Sequence, residues 1–378
     1  MTWRVAVTVA VSLVQAMGAS PASRDITTIR DPKSLVNHGL CRCCSVHTLP
    51  TVVVVMNFNK CEASGRSGFC FPYFQCSKNS GVVKGSCSFG FGNCCVFEKT
   101  CSTSSSARLL YFTSSHTQAT DQGTCSLSIT KVTGVCQLRL DMNQAELSEP
   151  TAEGACVKQY LQVMGASGFS PKICGLNSGQ HLYFDVRGDA GPFKVMVVNT
   201  EDNPSSSWDI QVEQIFCQSP NLAPAGCAQY YTGLSGDVRS FNYHIDASTQ
   251  IQVADKPGTR HLQETYKMCV RQEPGYCSVK WTAAEENYAF TLTGNPIDDI
   301  IPFNSATDEL CGNTDYVFIP GGRIPQETEV SNIFCGSKFP DSVTSSSFEM
   351  TMVADGTELI AEDIDNHGFH LKYEQVKC

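Results

Sequence analysis

Phe369-His-Leu-Lys-Tyr-Glu-Gln-Val-Lys-Cys378, set beside Trp208-Asp-Ile-Gln-Val-Glu-Gln-Ile-Phe-Cys217, decides how this chain is built. Apolar residues stand at alternate places in both, which marks a strand with one buried face. The registers agree: Trp208 matches Phe369, Ile210 matches Leu371, Val212 matches Tyr373, and Gln214 repeats as Gln375. Each stretch closes on a cysteine, and the same interval separates Cys174 from Cys217 and Cys335 from Cys378. The upstream cysteines sit in one phrase, Ile173-Cys174-Gly175 and Phe334-Cys335-Gly336. The chain therefore holds two copies of one module.

At 378 residues there is room for two or three domains. Twenty-one cysteines imply disulfides formed in an oxidising compartment. Arg4, the apolar run Val5 to Val14, and small residues at Ala16, Gly18, Ala19 and Ser20 have the order of a secretory signal. Residues 1–18 are read as that signal. The run is too short for a membrane anchor, and no hydrophobic tail of the lipid-anchor kind precedes Cys378. The expectation is a secreted protein without a membrane span. A formal charge of −10 argues against nucleic acid or an anionic membrane as main partner. No Asn-x-Ser/Thr acceptor occurs with x other than proline.

Residues 19–60 form a preamble with Cys41, Cys43 and Cys44 crowded together and a β-branched run from Thr51 to Met56. Three cysteines leave an odd one, so an intermolecular disulfide or a free thiol is expected here. Residues 61–96 are a knot: Cys61, Cys70, Cys76, Cys87 and the vicinal Cys94-Cys95, interspersed with glycine. So short a stretch cannot bury enough apolar surface to fold without bridges. Many pairings are open to six cysteines, and the adjacent pair goes to different partners. Six cysteines ending in Cys-Cys resemble the clip domains of arthropod haemolymph proteins. The resemblance implies Cys61–Cys94, Cys70–Cys87 and Cys76–Cys95.

The two copies follow, 101–219 and 224–378. Six cysteines align in each: Cys101 with Cys227, Cys125 with Cys269, Cys136 with Cys277, Cys156 with Cys311, Cys174 with Cys335, Cys217 with Cys378. The second copy is longer around Ser248 to Leu262 and Asn295 to Ala306. Short alternating runs (Gln137 to Leu140, His181 to Val186, Phe193 to Val198, Phe348 to Val353) are broken by Gly, Asn, Asp and Ser. That rhythm predicts an all-β chain with an antiparallel β-sandwich in each copy. No amphipathic helix longer than two turns is evident.

The second copy resembles the CUB domain. Cys227 through Gly236 to Phe241-Asn-Tyr243 is similar to that family's opening, and Cys311-Gly-Asn-Thr-Asp315-Tyr316-Val-Phe-Ile319-Pro-Gly321 to its Cys-x-x-Asp-Tyr-x-x-Ile-x-x-Gly strand with one extra residue. Phe334-Cys335-Gly336 and Gly368-Phe369-x-Leu371-x-Tyr373 complete the likeness. The first copy keeps the cysteines, Ile173-Cys174-Gly175 and the closing strand, but has Gln159 where the aspartate belongs. The resemblance implies two tandem jelly-roll-type sandwiches behind a clip-like knot. It also implies bridges Cys101–Cys125, Cys156–Cys174, Cys227–Cys269 and Cys311–Cys335. Symmetry between the copies adds Cys136–Cys217 and Cys277–Cys378.

Clip domains often precede a trypsin-like protease, so an enzyme has to be considered. That chemistry needs a serine, a histidine and an orienting aspartate in known surroundings. Nothing reads Gly-Asp-Ser-Gly-Gly or Ala-Ala-His-Cys; the nearest imitation, Thr232-Gly-Leu-Ser235-Gly-Asp237, suits a turn. His367 and His370 are not placed as a metal pair on a strand. A non-catalytic protein is expected. Many CUB domains bind Ca²⁺ through a glutamate before the third cysteine, an aspartate after it, and an aspartate in a later loop. Asp315 and Asp355 take the two aspartate places in the second copy, with Asp308 or Glu309 as a third oxygen donor. Gln159 and Asn199 replace the pair in the first. Arg187-Gly188-Asp189 is an integrin-type tripeptide between two strand-like runs, and Gly-Asp is equally an ordinary turn dipeptide.

The sequence thus predicts a secreted, disulfide-stapled binding protein whose CUB-like modules recognise other extracellular proteins. Two alternatives stand beside it: a non-catalytic docking cofactor of a haemolymph protease cascade, and a structural matrix or cuticle component cross-linked through Cys41, Cys43 or Cys44.

Overall fold

The computed structural model describes residues 6–8, 53–55, 59–114, 123–168, 170–201, 206–243, 260–286, 288–293, 306–312, 314–354 and 366–378. Nearly all of the expected signal and preamble, Cys41, Cys43, Cys44, Asp355, and most of the two longer segments of the second copy lie outside them. The chain divides into two compact units, Met1–Val96 and Phe97–Cys378.

In the first unit a short ladder pairs Ala6–Thr8 with Val53–Val55. The knot is a four-stranded antiparallel sheet, ordered Lys60–Ala63, Arg66–Phe71, Gly92–Val96, Val82–Cys87, with one helix at Tyr73–Lys78. Disulfides Cys61–Cys94, Cys70–Cys87 and Cys76–Cys95 tie it together. Among the described residues of this unit, Phe69, Val96 and the buried cysteines make up nearly all the apolar interior, so the cross-links supply what burial cannot.

The second unit contains two sandwiches with one strand plan. In the first, one sheet runs Gln159–Met164, Phe193–Asn199, Gly123–Ile129, Thr103–Ser105. The facing sheet runs His181–Asp185, Val135–Glu146, Ser207–Phe216, Leu109–Thr113, Glu98–Lys99. The second sandwich repeats this order, with Tyr316–Arg323, Glu349–Val353, Tyr266–Val270, Cys227–Tyr231 facing Val343–Ser345, Tyr276–Ala283, Gly368–Lys377, Ser235–Arg239. Among the described residues, the pairing of Arg323 with Thr344 joins its two sheets at one corner. Phe112, Leu127, Leu138, Phe193 and Trp208 fill the first core; Trp281, Phe334, Met350, Phe369 and Leu371 fill the second.

The all-β architecture is as the alternation predicts, but the sheets are not wholly antiparallel. Thr103–Ser105, Glu98–Lys99 and Cys227–Tyr231 each pair parallel to a neighbour. Each is a short edge strand, and Cys101–Cys125 and Cys227–Cys269 fasten the opening segments of the two sandwiches to the strands beside them. Cys136–Cys217 and Cys277–Cys378 join the second long strand to the closing strand, and Cys156–Cys174 and Cys311–Cys335 complete the set.

The repeated glutamine has a common task in both copies. Gln214, 1% exposed, donates from Nε2 to the carbonyls of Ala107 (3.0 Å) and Thr130 (3.3 Å), and its Oε1 accepts from Val132 N (2.9 Å). Gln375 donates to Gly233 O (2.7 Å) and Arg271 O (2.8 Å) and accepts from Glu273 N (2.9 Å). A closing strand thereby holds the loops on either side of it through one buried amide.

Candidate functional site

Where the two sandwiches meet, the chain offers polar residues, and burial obliges them to pair. Asn242 and Asn177 are both nearly inaccessible. Asn242 N donates to Asn177 Oδ1 (2.7 Å), Leu176 N donates to Asn242 Oδ1 (2.8 Å), and Asn242 Nδ2 donates to Arg260 O (2.7 Å). Asn242 has φ +63°, a left-handed conformation that asparagine tolerates better than most residues. Gln180 Nε2 donates to Ser240 O (2.9 Å), and Gln229 Nε2 donates to Gln180 Oε1 (2.8 Å). Lys172 N reaches Glu264 Oε1 (2.8 Å), and Gln263 N reaches Gly154 O (2.9 Å). The connecting segment is clamped as well: Gln137 exchanges two hydrogen bonds with the backbone of Ala223 (2.8 and 2.9 Å).

Aromatic rings close the other part of this seam. Tyr183 meets Tyr230 edge to face at 6.2 Å, and His181 meets Tyr231 at 4.9 Å. Arg139 lies over Tyr183, donates to its hydroxyl (2.8 Å) and pairs with Asp141 (2.6 Å). Tyr183, Ile215, Ala223, Cys227, Tyr230 and Cys269 form one buried cluster drawn from both sandwiches. With hydrogen bonds worth about 1 kcal/mol each net, the seam joins the two sandwiches over a polar and an aromatic stretch.

His181 gives the seam a pH dependence. Burial, with the Arg139 guanidinium adding to it, pushes the imidazole down to about 3, so Nε2 accepts the Tyr230 N–H at 2.9 Å. The folded value lies below the unfolded value of about 6.5, so the unfolded chain binds the proton first as pH falls. This contribution is intact above about pH 6.5 and is lost between there and about pH 3, at up to ~1.4 kcal/mol per pH unit. Urea denaturation at about pH 7 and pH 5 should show it. His181→Gln, which keeps an acceptor without a proton to gain, should have a flatter profile; equal slopes would remove His181 as the cause.

Of the residues expected to hold calcium, Asp315, Asp308 and Glu309 fall among the described residues. Asp315 is 3% exposed, and its Oδ2 lies 3.4 Å from Arg260 Nη2 and 3.2 Å from His261 Nε2. The histidine contact has ion-pair distance without hydrogen-bond alignment. Glu309 is exposed on the short helical turn Asp308–Cys311. Asp308 Oδ1 accepts from Asn332 N (2.9 Å) and Ile333 N (3.2 Å). Asp355 is outside the described residues. In the first sandwich Gln159 and Asn199 are buried and hydrogen-bonded, Gln159 to Ser148 N and Ser206 Oγ, and Asn199 to the backbone of Glu201.

Arg187 and Gly188 are exposed at a turn tip, but both charged ends of the tripeptide are engaged. Arg187 Nη2 lies 3.7 Å from Asp185, and Asp189 Oδ2 accepts from Ser167 N (2.9 Å) and Ser167 Oγ (3.1 Å). Lys131 Nζ donates to the carbonyls of Val186 and Asp189 (2.5 and 2.7 Å), fastening the turn from beneath.

Ser235–Arg239 is an edge strand, and a Cβ at Gly236 would crowd the Tyr373 ring at 2.8 Å. His370 lies 2.7 Å from Glu286 Oε1 through Nδ1 and 2.8 Å from Asp237 Oδ1 through Nε2. Sequence reading missed the seam. Its one visible trace was Phe241-Asn-Tyr243, whose asparagine crosses to the other module.

Residues 224–376 match the family model described as the animal CUB domain. Among solved structures, the CUB1-EGF-CUB2 domains of rat MASP-1 are similar at 12% identity and TM-score 0.23, covering 72% of this chain and 99% of that one. The same region of human MASP-1/3 gives 14% and 0.23 over 71% and 100%. The extracellular region of zebrafish Gpr126/Adgrg6 gives 11% and 0.26 over 72% and 37%. No curated protein matches the chain.

Proposed function

With a CUB domain at residues 224–376 as the premise, we propose that this is a secreted, non-catalytic protein that binds other extracellular proteins through its paired sandwiches. The family match carries the reading, because CUB domains are extracellular protein-recognition modules. Nine disulfides among the described residues suit such a setting. Among the described residues no helix is long and apolar enough to cross a membrane. Two sandwiches joined along a buried seam present their loops together, and loops carried on a scaffold lose less entropy on binding.

A second reading, a docking cofactor in an extracellular protease cascade, draws support from the knot. Phe74, Phe89 and Phe91 are 64%, 103% and 52% exposed, a large aromatic display for so small a unit.

The test is surface capture of the whole protein followed by titration with purified extracellular proteins of the same animal. Saturable binding to a non-protease supports recognition. Binding to an activated protease, with a changed activation rate of its zymogen, supports the second reading. Cleavage of a substrate by the protein alone would overturn both.

A further inference from the structure

We infer that the loop end of the second sandwich carries its own cation: the Arg260 guanidinium neutralises Asp315, and this end is organised without calcium. The resemblance to CUB domains puts Asp315 at an aspartate place of their calcium site, so it is the residue on which a metal there would depend.

Among the described residues, those around Asp315 do not fit the metal. Calcium needs six to eight oxygens at about 2.4 Å, several of them carboxylate. Asp315 is almost wholly buried, and its Oδ2 is 3.4 Å from Arg260 Nη2 and 3.2 Å from His261 Nε2. Arg260 and His261 are themselves 7% and 1% exposed. A guanidinium so close both fills space and repels a divalent ion. Among the described residues the other expected donors do not make up the loss, since Asp308 Oδ1 accepts from two backbone amides and Glu309 faces solvent.

Arg260 is also held in place from both sides. Its carbonyl accepts from Asn242 Nδ2 (2.7 Å), and His261 N donates to Asn366 O (3.0 Å). Two residues on, Gln263 N donates to Gly154 O of the first sandwich (2.9 Å). The residues that supply the cation therefore belong to the seam. A metal ion comes and goes with its concentration, whereas this charge is covalently part of the junction between sandwiches.

The experiment uses the whole protein, with thermal unfolding in millimolar CaCl₂ and in EDTA and calorimetric titration of Ca²⁺. Coincident wild-type midpoints and no Asp315-dependent heat are expected. Arg260→Met should lower the midpoint by about 8 °C in both buffers, because it strands a buried carboxylate. A calcium-induced rise in the wild-type midpoint that Asp315→Asn abolishes would overturn the inference. So would an Arg260→Met variant that melts with the wild type. Neither arm involves a partner, so the outcome is independent of whether a binding partner is found.

Discussion

Gln214→Leu is expected to destabilise the second unit by about 3 kcal/mol, although the substitution keeps side-chain size and adds apolar surface to a core. The side chain is 1% exposed and touches no solvent. Its amide serves three backbone groups: the carbonyls of Ala107 and Thr130 and the N–H of Val132. Leucine satisfies none of them, and each buried group left alone costs on the order of 1–3 kcal/mol. Some of that is recovered by leucine's greater hydrophobicity, on the order of 1–2 kcal/mol. Gln214→Glu is expected to fare worse near neutral pH. It keeps the acceptor for Val132 but turns a donor into a charge facing two carbonyls. Gln375→Leu should behave likewise, because its amide meets Gly233, Arg271 and Glu273 in the same pattern. Urea midpoints, taken with disulfides intact, decide the matter. Shifts no larger than that of an exposed control such as Lys372→Ala would show that the clamp is not holding the loops.

This glutamine also shows how far sequence reading went. The closing strands were legible because alternation maps directly onto a pleated strand, and Trp208, Ile210 and Val212 are buried as the pattern requires, as are Phe369, Leu371 and Tyr373. Gln214 and Gln375 could be seen to repeat, but their partners lie on loops far away in sequence, so the reason for the repeat was invisible. The seam was hidden for the same reason. Gln180 meets Ser240, and Asn177 meets Asn242, across the boundary between copies, where no periodicity runs. At the calcium-like end, Asp315 was placed by motif, while the cation that answers it stands in a segment of the second copy that has no counterpart in the first. Motifs report which residue occupies a position; they do not report which charge reaches it.

Gly154→Val is expected to open the seam while leaving each sandwich folded. Gly154 has φ +82°, where a β-branched residue is strained, and the space beside it is taken by backbone. An added Cβ would overlap the His261 carbonyl oxygen and stand 3.0 Å from Gln263 N. Neither atom is the end of a flexible side chain, so the second sandwich must move away. The Gln263 N–H to Gly154 O bond is then lost, and the strain passes to neighbours in the same row, Asn242 and Lys172. Each sandwich retains its three disulfides and its own core, so the damage stays at the junction. Amide hydrogen exchange reads this directly. Peptides carrying the Tyr230 and Gln263 amides, bonded across the seam in the wild type, should exchange about 10-fold faster or more, and those from Val135–Glu146 should not change. Gly188→Val is the matched control, since that glycine is exposed with nothing within 4 Å of an added Cβ. If both variants exchange like the wild type, the seam does not depend on this contact. If the sandwich interiors exchange faster too, the two modules are not independent folding units, and their rigidity is the stability of one larger domain rather than the docking of two.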